Sequence, residues 1–233
     1  MKVCTIGISG ASCSGKTTVT RILRQLLKHS VVIYQDDFFK LDSEIPIDPK
    51  TQLANWDCPE AIDFPQLDKT IQYVLDNKQL PEKYQSNEAN NTHDGSTSLS
   101  IEALDRLKET IAPLKQDDIL FVIVDGFMLY WDQAICARLD CKIFIHASYE
   151  TLKNRRESRQ GYVTTEGYWT DPPGYFDNIV WPEYIKCNKH LFLGEDRSEI
   201  EHEAVQNVLA VDTDKYSIEE TANAIVKKIV DTF

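Results

Sequence analysis

Short runs of aliphatic and β-branched residues recur along the chain and alternate with stretches of helical periodicity. After the first run, Val19, Ile22, Leu23 and Leu26 repeat at a spacing that places them on one face of a helix. Such alternation is typical of a parallel sheet that is covered on both faces. We therefore predict an α/β fold with helices on both faces of a five-stranded parallel sheet, its strands at 3–8, 30–34, 119–124, 142–146 and 208–211.

The end of the chain carries the clearest helical pattern. Ser217 and Glu220 have the spacing of a capping box, in which each side chain bonds the other residue's backbone N–H. The residues after them predict one buried helical face, made of Ile218, Ala222, Ile225, Val226, Ile229 and Val230.

The interval 77–100 breaks the alternation, because Gln, Asn, Ser, Thr and Glu replace almost all apolar residues there. A stretch with so little apolar surface contributes little to a core. We predict a mobile surface insertion, and we expect its removal to leave the fold and the activity mostly intact. The chain of 233 residues is otherwise read as a single domain, 1–233.

Composition excludes several classes of function. Lysine and arginine total 25 against 37 aspartates and glutamates, and the formal charge of −12 argues against a nucleic-acid partner. The six cysteines form no zinc-type pair, which favours reduced thiols without a metal cluster. Since no apolar stretch reaches ~18 residues and no leader pattern is present, we expect no membrane partner and a cytoplasmic location.

Residues 10–17 match the phosphate-binding loop G-x-x-x-x-G-K-[ST] and lie between the first predicted strand and helix. The alternative is a solvent-facing turn, but the flanking strand and helix favour nucleotide binding. In such a loop Lys16 reaches the β- and γ-phosphates, and the Thr17 hydroxyl binds Mg²⁺. The predicted phosphate-binding residues are Gly10, Ala11, Ser12, Cys13, Ser14, Gly15, Lys16 and Thr17.

Carboxylates follow two further strands. Asp36 and Asp37 come after the second strand, at the sheet edge where ligands of such folds bind, and either could act as a general base. Asp125 ends the third strand, as an acid that supports Mg²⁺ does. Each of these acids could instead be an ordinary turn former or strand-end residue.

A basic cluster follows the fourth strand. Lys153, Arg155, Arg156 and Arg159 crowd one predicted helix and its exit, and Arg155 and Arg159 are four residues apart. They could face triphosphate charge, or they could be a solvated helix face. With the Gly- and aromatic-rich residues that follow, the region 155–175 is predicted to be a lid.

Four segments of the chain form one pattern: Gly7 to Thr18, Gln35 to Lys40, Asp125 to Phe127, and Pro173 to Asp177 with Val180 to Pro182. Together they resemble the nicotinamide riboside kinase family. The second and fourth are specific within the uridine-kinase-like group, whereas the phosphate loop is generic. The resemblance implies ATP- or GTP-dependent phosphorylation of the 5′-hydroxyl of nicotinamide riboside, giving nicotinamide mononucleotide for NAD synthesis, with nicotinic acid riboside as a second substrate.

The resemblance also implies roles for individual residues. Asp36 would be the catalytic base and a ribose ligand, and Mg²⁺ would be held by Thr17, Asp36 and Asp125. Trp56 would stack on the pyridinium, with Tyr162, rather than Tyr168, as the second aromatic. The remaining implied substrate residues are Asp37, Phe38, Phe39, Asp57 and Arg156, and the remaining implied nucleotide residues are Thr18, Arg155, Arg159, Asp212 and Thr213.

Other functions stay open at this point. A uridine or cytidine kinase would share nearly every motif, and a nucleotide-binding regulatory module would need the phosphate loop without turnover. Asp36 and the basic lid favour an enzyme. A GTPase switch is the weaker hypothesis, because neither Asn77-Lys78-Gln79-Leu80 nor Asn188-Lys189-His190-Leu191 completes the guanine-reading N-K-x-D pattern.

Overall fold

A computed structural model describes residues 1–90, 99–159, 161–163, 167–193, 199–200 and 207–233. Its main sheet has five parallel strands, which confirms the predicted strands and the fold class. They are β1 (Lys2–Gly10), β2 (Ser30–Tyr34), β3 (Ile119–Gly126), β4 (Cys141–His146) and β9 (Val208–Asp212), in the spatial order β2-β3-β1-β4-β9. Two short antiparallel pairs complete the strands, β5 (Tyr162–Val163) with β6 (Tyr168–Trp169) and β7 (Phe192–Leu193) with β8 (Glu199–Ile200).

Helices connect the strands and cover both sheet faces. They are α1 (Lys16–Leu26), α2 (Phe64–Asn77), α3 (Ile101–Ile111), α4 (Gln133–Ala137), α5 (Tyr149–Glu157), α6 (Trp181–Cys187) and α7 (Ile218–Thr232). A π-helical turn at Phe176–Val180 leads into α6. The capping box predicted for the last helix is present, since Ser217 and Glu220 bond each other's backbone N–H groups.

The core is divided by the sheet into two layers. In β3, Phe121 and Ile123 pack with α1, α3 and α7, whereas Val122 and Val124 point to the opposite face. This alternation has the period of two expected of a strand. All eight residues of β3 are buried, so the sheet edge formed by its carboxyl end is supported on both faces.

The described part of the chain also bears on membrane-spanning helices and on the state of the cysteines. None of its helices is long and apolar enough to span a bilayer. All six cysteines lie within it, and each is a free thiol.

Candidate active site

The phosphate-binding loop joins β1 to α1, as the sequence predicts. Its two glycines are required for different structural reasons. Gly10 has φ 142°, and a Cβ there would lie 1.9 Å from the carbonyl oxygen of Ile145 on β4. A Cβ at Gly15 would meet no atom within 4 Å, so glycine is required there for its backbone conformation, a positive φ of 103°. Gly15 caps α1 without a side-chain hydrogen bond, which leaves the first N–H groups of the helix to an anion.

Lys16 begins α1 and is directed back over the loop. Its ammonium donates a hydrogen bond of 2.9 Å to the carbonyl oxygen of Ala11, and the residue is buried. Burial raises the pKa of both Asp36 and Asp125, and the positive charge of Lys16 is close enough to oppose that rise in each carboxyl. Lys16 is therefore the cation shared by the phosphate loop and the acids.

Asp125 lies at the carboxyl end of the central strand β3. The parallel register pairs it with Ile8 of β1 on one side and with Tyr34 of β2 on the other, which brings the ends of three strands together. Its carboxylate accepts a 2.8 Å hydrogen bond from the Thr20 hydroxyl. Burial raises the pKa of Asp125 to about 7, against the opposing effects of Lys16 and this hydrogen bond.

Asp36 and Asp37, the two acids after β2, have different surroundings. They lie in a 3₁₀ turn, Gln35–Phe38, at the same edge of the sheet. Asp37 accepts hydrogen bonds from the Tyr84 hydroxyl (2.5 Å), the Ser86 hydroxyl (3.2 Å) and the Asn87 N–H (2.8 Å). Asp36 is exposed to solvent, yet the protein around it partly desolvates the carboxylate and raises its pKa, an effect that Lys16 opposes.

Aromatic side chains line the side of the site next to Asp36. Trp56 is 6% exposed, and its ring lies 5.5 Å from that of Phe39 and 5.8 Å from that of Trp169, centroid to centroid. Phe39 also stacks on Phe127 at 5.9 Å, and Trp169 lies 5.6 Å from Tyr175. The indole Nε1 of Trp56 is buried without a hydrogen-bond partner among the described residues.

Arg156 joins the aromatic group to the neighbouring acids. Its guanidinium donates to both carboxylate oxygens of Asp57, at 3.1 and 3.3 Å, and to Asp171 at 2.6 and 3.1 Å. The Trp169 indole N–H donates to the same Asp171 carboxylate at 2.9 Å. The Arg156 side chain is 5% exposed, and this bidentate geometry gives a buried arginine a defined orientation.

Arg155, the neighbour of Arg156, turns towards the phosphate loop. Its guanidinium donates to the Cys13 carbonyl oxygen at 3.4 Å and to the Thr213 hydroxyl at 3.1 Å. These groups line a cavity of about 310 Å³ that also includes Thr18 and Tyr216. This cavity therefore adjoins the phosphate loop.

Comparisons with known proteins agree with this arrangement. A family model described as an AAA domain matches residues 6–166. The nicotinamide riboside kinase of Schizosaccharomyces pombe is 39% identical over 84% of this chain and 83% of its own length, and that of Saccharomyces cerevisiae is 39% identical over 84% and 81%. Human nicotinamide riboside kinase 1 is 30% identical over 82% and 79%.

The chain belongs to the nicotinamide riboside kinase family. This confirms the family that the sequence motifs resemble. As a member of a phosphate-loop kinase family, the chain binds a nucleotide and a small-molecule substrate.

Some predicted site residues lie apart from the cluster around Asp36 or have side chains outside the described residues. Arg159 is exposed, and its positive charge opposes the rise in the pKa of Asp36. The Asp212 carboxylate is 3.0 Å from the Lys215 ammonium, within its own turn. The backbone of Tyr162 pairs with Trp169, but the Tyr162 side chain lies outside the described residues.

Two residues that were not predicted individually lie at the site. Trp169 contacts Trp56, and Tyr216 lines the cavity beside the phosphate loop. The signal for Trp169 was its place two residues before Asp171 in the predicted lid. The signal for Tyr216 was its closeness to Thr213 in sequence.

Proposed function

We propose that this chain transfers the γ-phosphoryl group of ATP or GTP to the 5′-hydroxyl of nicotinamide riboside, giving nicotinamide mononucleotide for NAD synthesis. Nicotinic acid riboside is the expected second substrate. The observation that carries the proposal is the arrangement of Trp56 and Asp57 beside the Asp36 turn, in a chain of this family. An aromatic ring suits the base, and an anchored acid suits the ribose.

Asp36 is the proposed general base. It is the acid of the turn that stays exposed, whereas Asp37 is engaged by three donors of the chain itself. The attacking hydroxyl must lose a proton during in-line transfer, and a carboxylate within hydrogen-bond reach can accept it. Lys16 and Arg155 offset the charge that develops on the phosphates.

Asp57 and Arg156 are proposed to hold the ribose. Two hydrogen bonds from Arg156 fix the plane of the Asp57 carboxylate. Each carboxylate oxygen has further lone pairs that can accept from ribose hydroxyls. Because Arg156 is held on its other side by Asp171, the acid is oriented before the substrate binds.

Trp56 is proposed to stack on the pyridinium base, with Trp169 as the facing ring. A planar base between two rings needs roughly 7 Å between their centroids, given ~3.5 Å for each contact. The two indoles are 5.8 Å apart and tilted by 50°, so binding requires them to separate. The unpartnered Nε1 of Trp56 would then be free to meet a polar group of the substrate.

The residues at the sheet edge fit Mg²⁺. Burial raises the pKa of Asp125 to about 7 and the charge of Asp36 adds to that rise, so a cation between phosphate and protein would relieve the repulsion between the two carboxylates. Mg²⁺ at phosphate sites takes one or two protein carboxylates together with phosphate and water oxygens, and the carboxylates of Asp36 and Asp125 match that donor set. Thr17, Asp36 and Asp125 would hold it, and when bound it neutralises phosphate charge.

Trp56→Ala is expected to raise the KM for nicotinamide riboside about five- to thirtyfold. The substitution removes apolar contact and a cation–π interaction worth about 0.5–2 kcal/mol. The loss should be smaller for nicotinic acid riboside, because its carboxylate cancels the net charge of the base. Steady-state kinetics with both ribosides measure the difference, and the KM for ATP should not change.

Two further variants serve as controls for this prediction. Trp56→Phe keeps an aromatic face and should lose less than Trp56→Ala. Trp131→Ala removes a tryptophan that is 43% exposed in a separate turn and should change no KM. An equal, small loss for both ribosides in Trp56→Ala would contradict the role of Trp56 as the ring that binds a cationic base.

A further inference from the structure

Residues 84–90 of the polar interval 77–100 contact the Gln35–Phe38 turn, which carries Asp36, although composition predicted a separate surface insertion. Tyr84 is half-buried against one core layer and stacks on Phe38 at 6.2 Å with an angle of 25° between the rings. A short 3₁₀ helix, Asn87–Asn90, lies against both the Asp36 turn and the lid strand β5. Residues 84–90 therefore form a wall between the Asp36 turn and the predicted lid.

The Tyr84 hydroxyl makes two hydrogen bonds that link separate elements. It accepts from the Tyr34 N–H on the edge strand β2 at 3.1 Å, and it donates to the Asp37 carboxylate at 2.5 Å. Burial and the Asp37 charge raise the pKa of Tyr84, which keeps the hydroxyl protonated as a donor. One side chain thus joins the end of β2 to the turn that follows it.

Neighbouring residues fasten the same wall at two more points. The Asn87 N–H and the Ser86 hydroxyl also donate to Asp37, so its carboxylate is held by three donors from one segment. On the other side, Glu88 forms a 2.6 Å ion pair with Arg21 of α1, and both side chains are less than a fifth exposed. The wall is therefore fixed to the helix that follows the phosphate loop as well as to the turn.

We propose that Tyr84 is a positioning residue, which fixes the turn carrying Asp36 through its hydrogen bonds to Asp37 and to β2. Asp36 and Asp37 are adjacent in a four-residue 3₁₀ turn, so a restraint on the Asp37 carboxylate limits the motion of the Asp36 backbone. A base that moves by about 1 Å loses much of its rate advantage. These contacts argue against the expectation that the interval can be removed without loss of activity.

Tyr84→Phe tests this inference, which rests on the proposed role of Asp36. The variant keeps the ring on Phe38 and removes only the hydroxyl. We expect kcat to fall about tenfold with the KM for ATP unchanged, because the loss of an interaction realised only in the transition state lowers kcat without weakening nucleotide binding. Tyr73→Phe, on the exposed side of α2, is the matched control and should retain wild-type kcat.

A second variant removes a different donor to the same carboxylate. Asn87→Pro deletes the Asn87 N–H at the first position of a 3₁₀ helix, where proline fits the backbone. It should lower kcat in the same direction as Tyr84→Phe, and the double variant should lose less than the product of the two single losses, because both act through Asp37. Thermal unfolding and circular dichroism establish that each variant is folded.

The outcomes separate this inference from the assignment of the base. Wild-type kcat in folded Tyr84→Phe, with a severe loss in Asp36→Asn, would overturn the role of Tyr84 and leave the base assignment in place. A mild Asp36→Asn variant would instead contradict the base. A rise in the KM for ATP with unchanged kcat in Tyr84→Phe would also overturn the proposal, since it would place Tyr84 in nucleotide binding.

Discussion

Lys16→Ala is expected to lower kcat about 10³-fold, which corresponds to ~4 kcal/mol of transition-state stabilisation. Negative charge shifts between the β- and γ-phosphates during transfer, and Lys16 is the cation of the phosphate loop that lies beside both Asp36 and Asp125. Its hydrogen bond to the Ala11 carbonyl oxygen shows that the ammonium reaches across the loop. Single-turnover phosphotransfer measures the loss.

The Lys16 prediction has two controls. Lys108→Ala removes a lysine whose side chain is 60% exposed on α3 and should leave kcat unchanged. Lys16→Arg keeps the charge but replaces a compact ammonium with a planar guanidinium, so it should restore only part of the rate. Near-normal kcat in folded Lys16→Ala would contradict the assignment of residues 10–17 as the catalytic phosphate loop.

Asp36→Asn is expected to lower kcat by ~10² or more and to leave ATP binding largely intact. The amide keeps the size of the side chain but cannot accept the proton of the attacking hydroxyl. Asp37→Asn is the matched variant, one residue away in the same turn. It should lose about tenfold or less, because Asp37 is held by Tyr84, Ser86 and Asn87 rather than directed at substrate.

Comparing the two variants identifies the base. The measurements are kcat with saturating riboside and the dissociation constant for ATP from a direct binding assay. If Asp37→Asn caused the severe loss of kcat and Asp36→Asn the mild one, the base would be Asp37 and the assignment of Asp36 would be wrong.

The sheet was predictable because its strands are local patterns of a few residues. The runs at 30–34 and 119–124 coincide with β2 and with most of β3, and the capping box at Ser217 is a pair of residues three apart. The phosphate loop and Asp125 were predictable for the same reason, since each directly follows its own strand. Parallel pairing then brings these strand ends to one edge of the sheet.

The residues that sequence analysis missed depend on contacts between distant segments. Tyr84 is 50 residues from Tyr34, and its role requires a polar segment to pack on a 3₁₀ turn. Composition reports only that such a segment buries little apolar surface, and here hydrogen bonds and one ion pair fasten it instead. Trp169 faces Trp56 across more than 100 positions of sequence, so no local pattern could pair them.

The glycines of the phosphate loop also show what a sequence motif leaves out. The motif predicts glycine at 10 and 15 from the turn of the loop alone. Only the structure shows that Gly10 also avoids a clash with the backbone of β4, whereas Gly15 is needed for its positive φ. A substitution at position 10 would therefore disturb the sheet as well as the phosphate site.

The central claim is that the acceptor is a riboside with a cationic base, and single-turnover transfer from radiolabelled ATP tests it most directly. The wild-type chain would be mixed with nicotinamide riboside, uridine or cytidine under identical conditions, and the phosphorylated product would be identified by mass. We predict rapid formation of nicotinamide mononucleotide, with uridine and cytidine at least about 10²-fold slower, because a neutral pyrimidine gains less from the indole faces. Equal or faster phosphorylation of uridine would contradict the account.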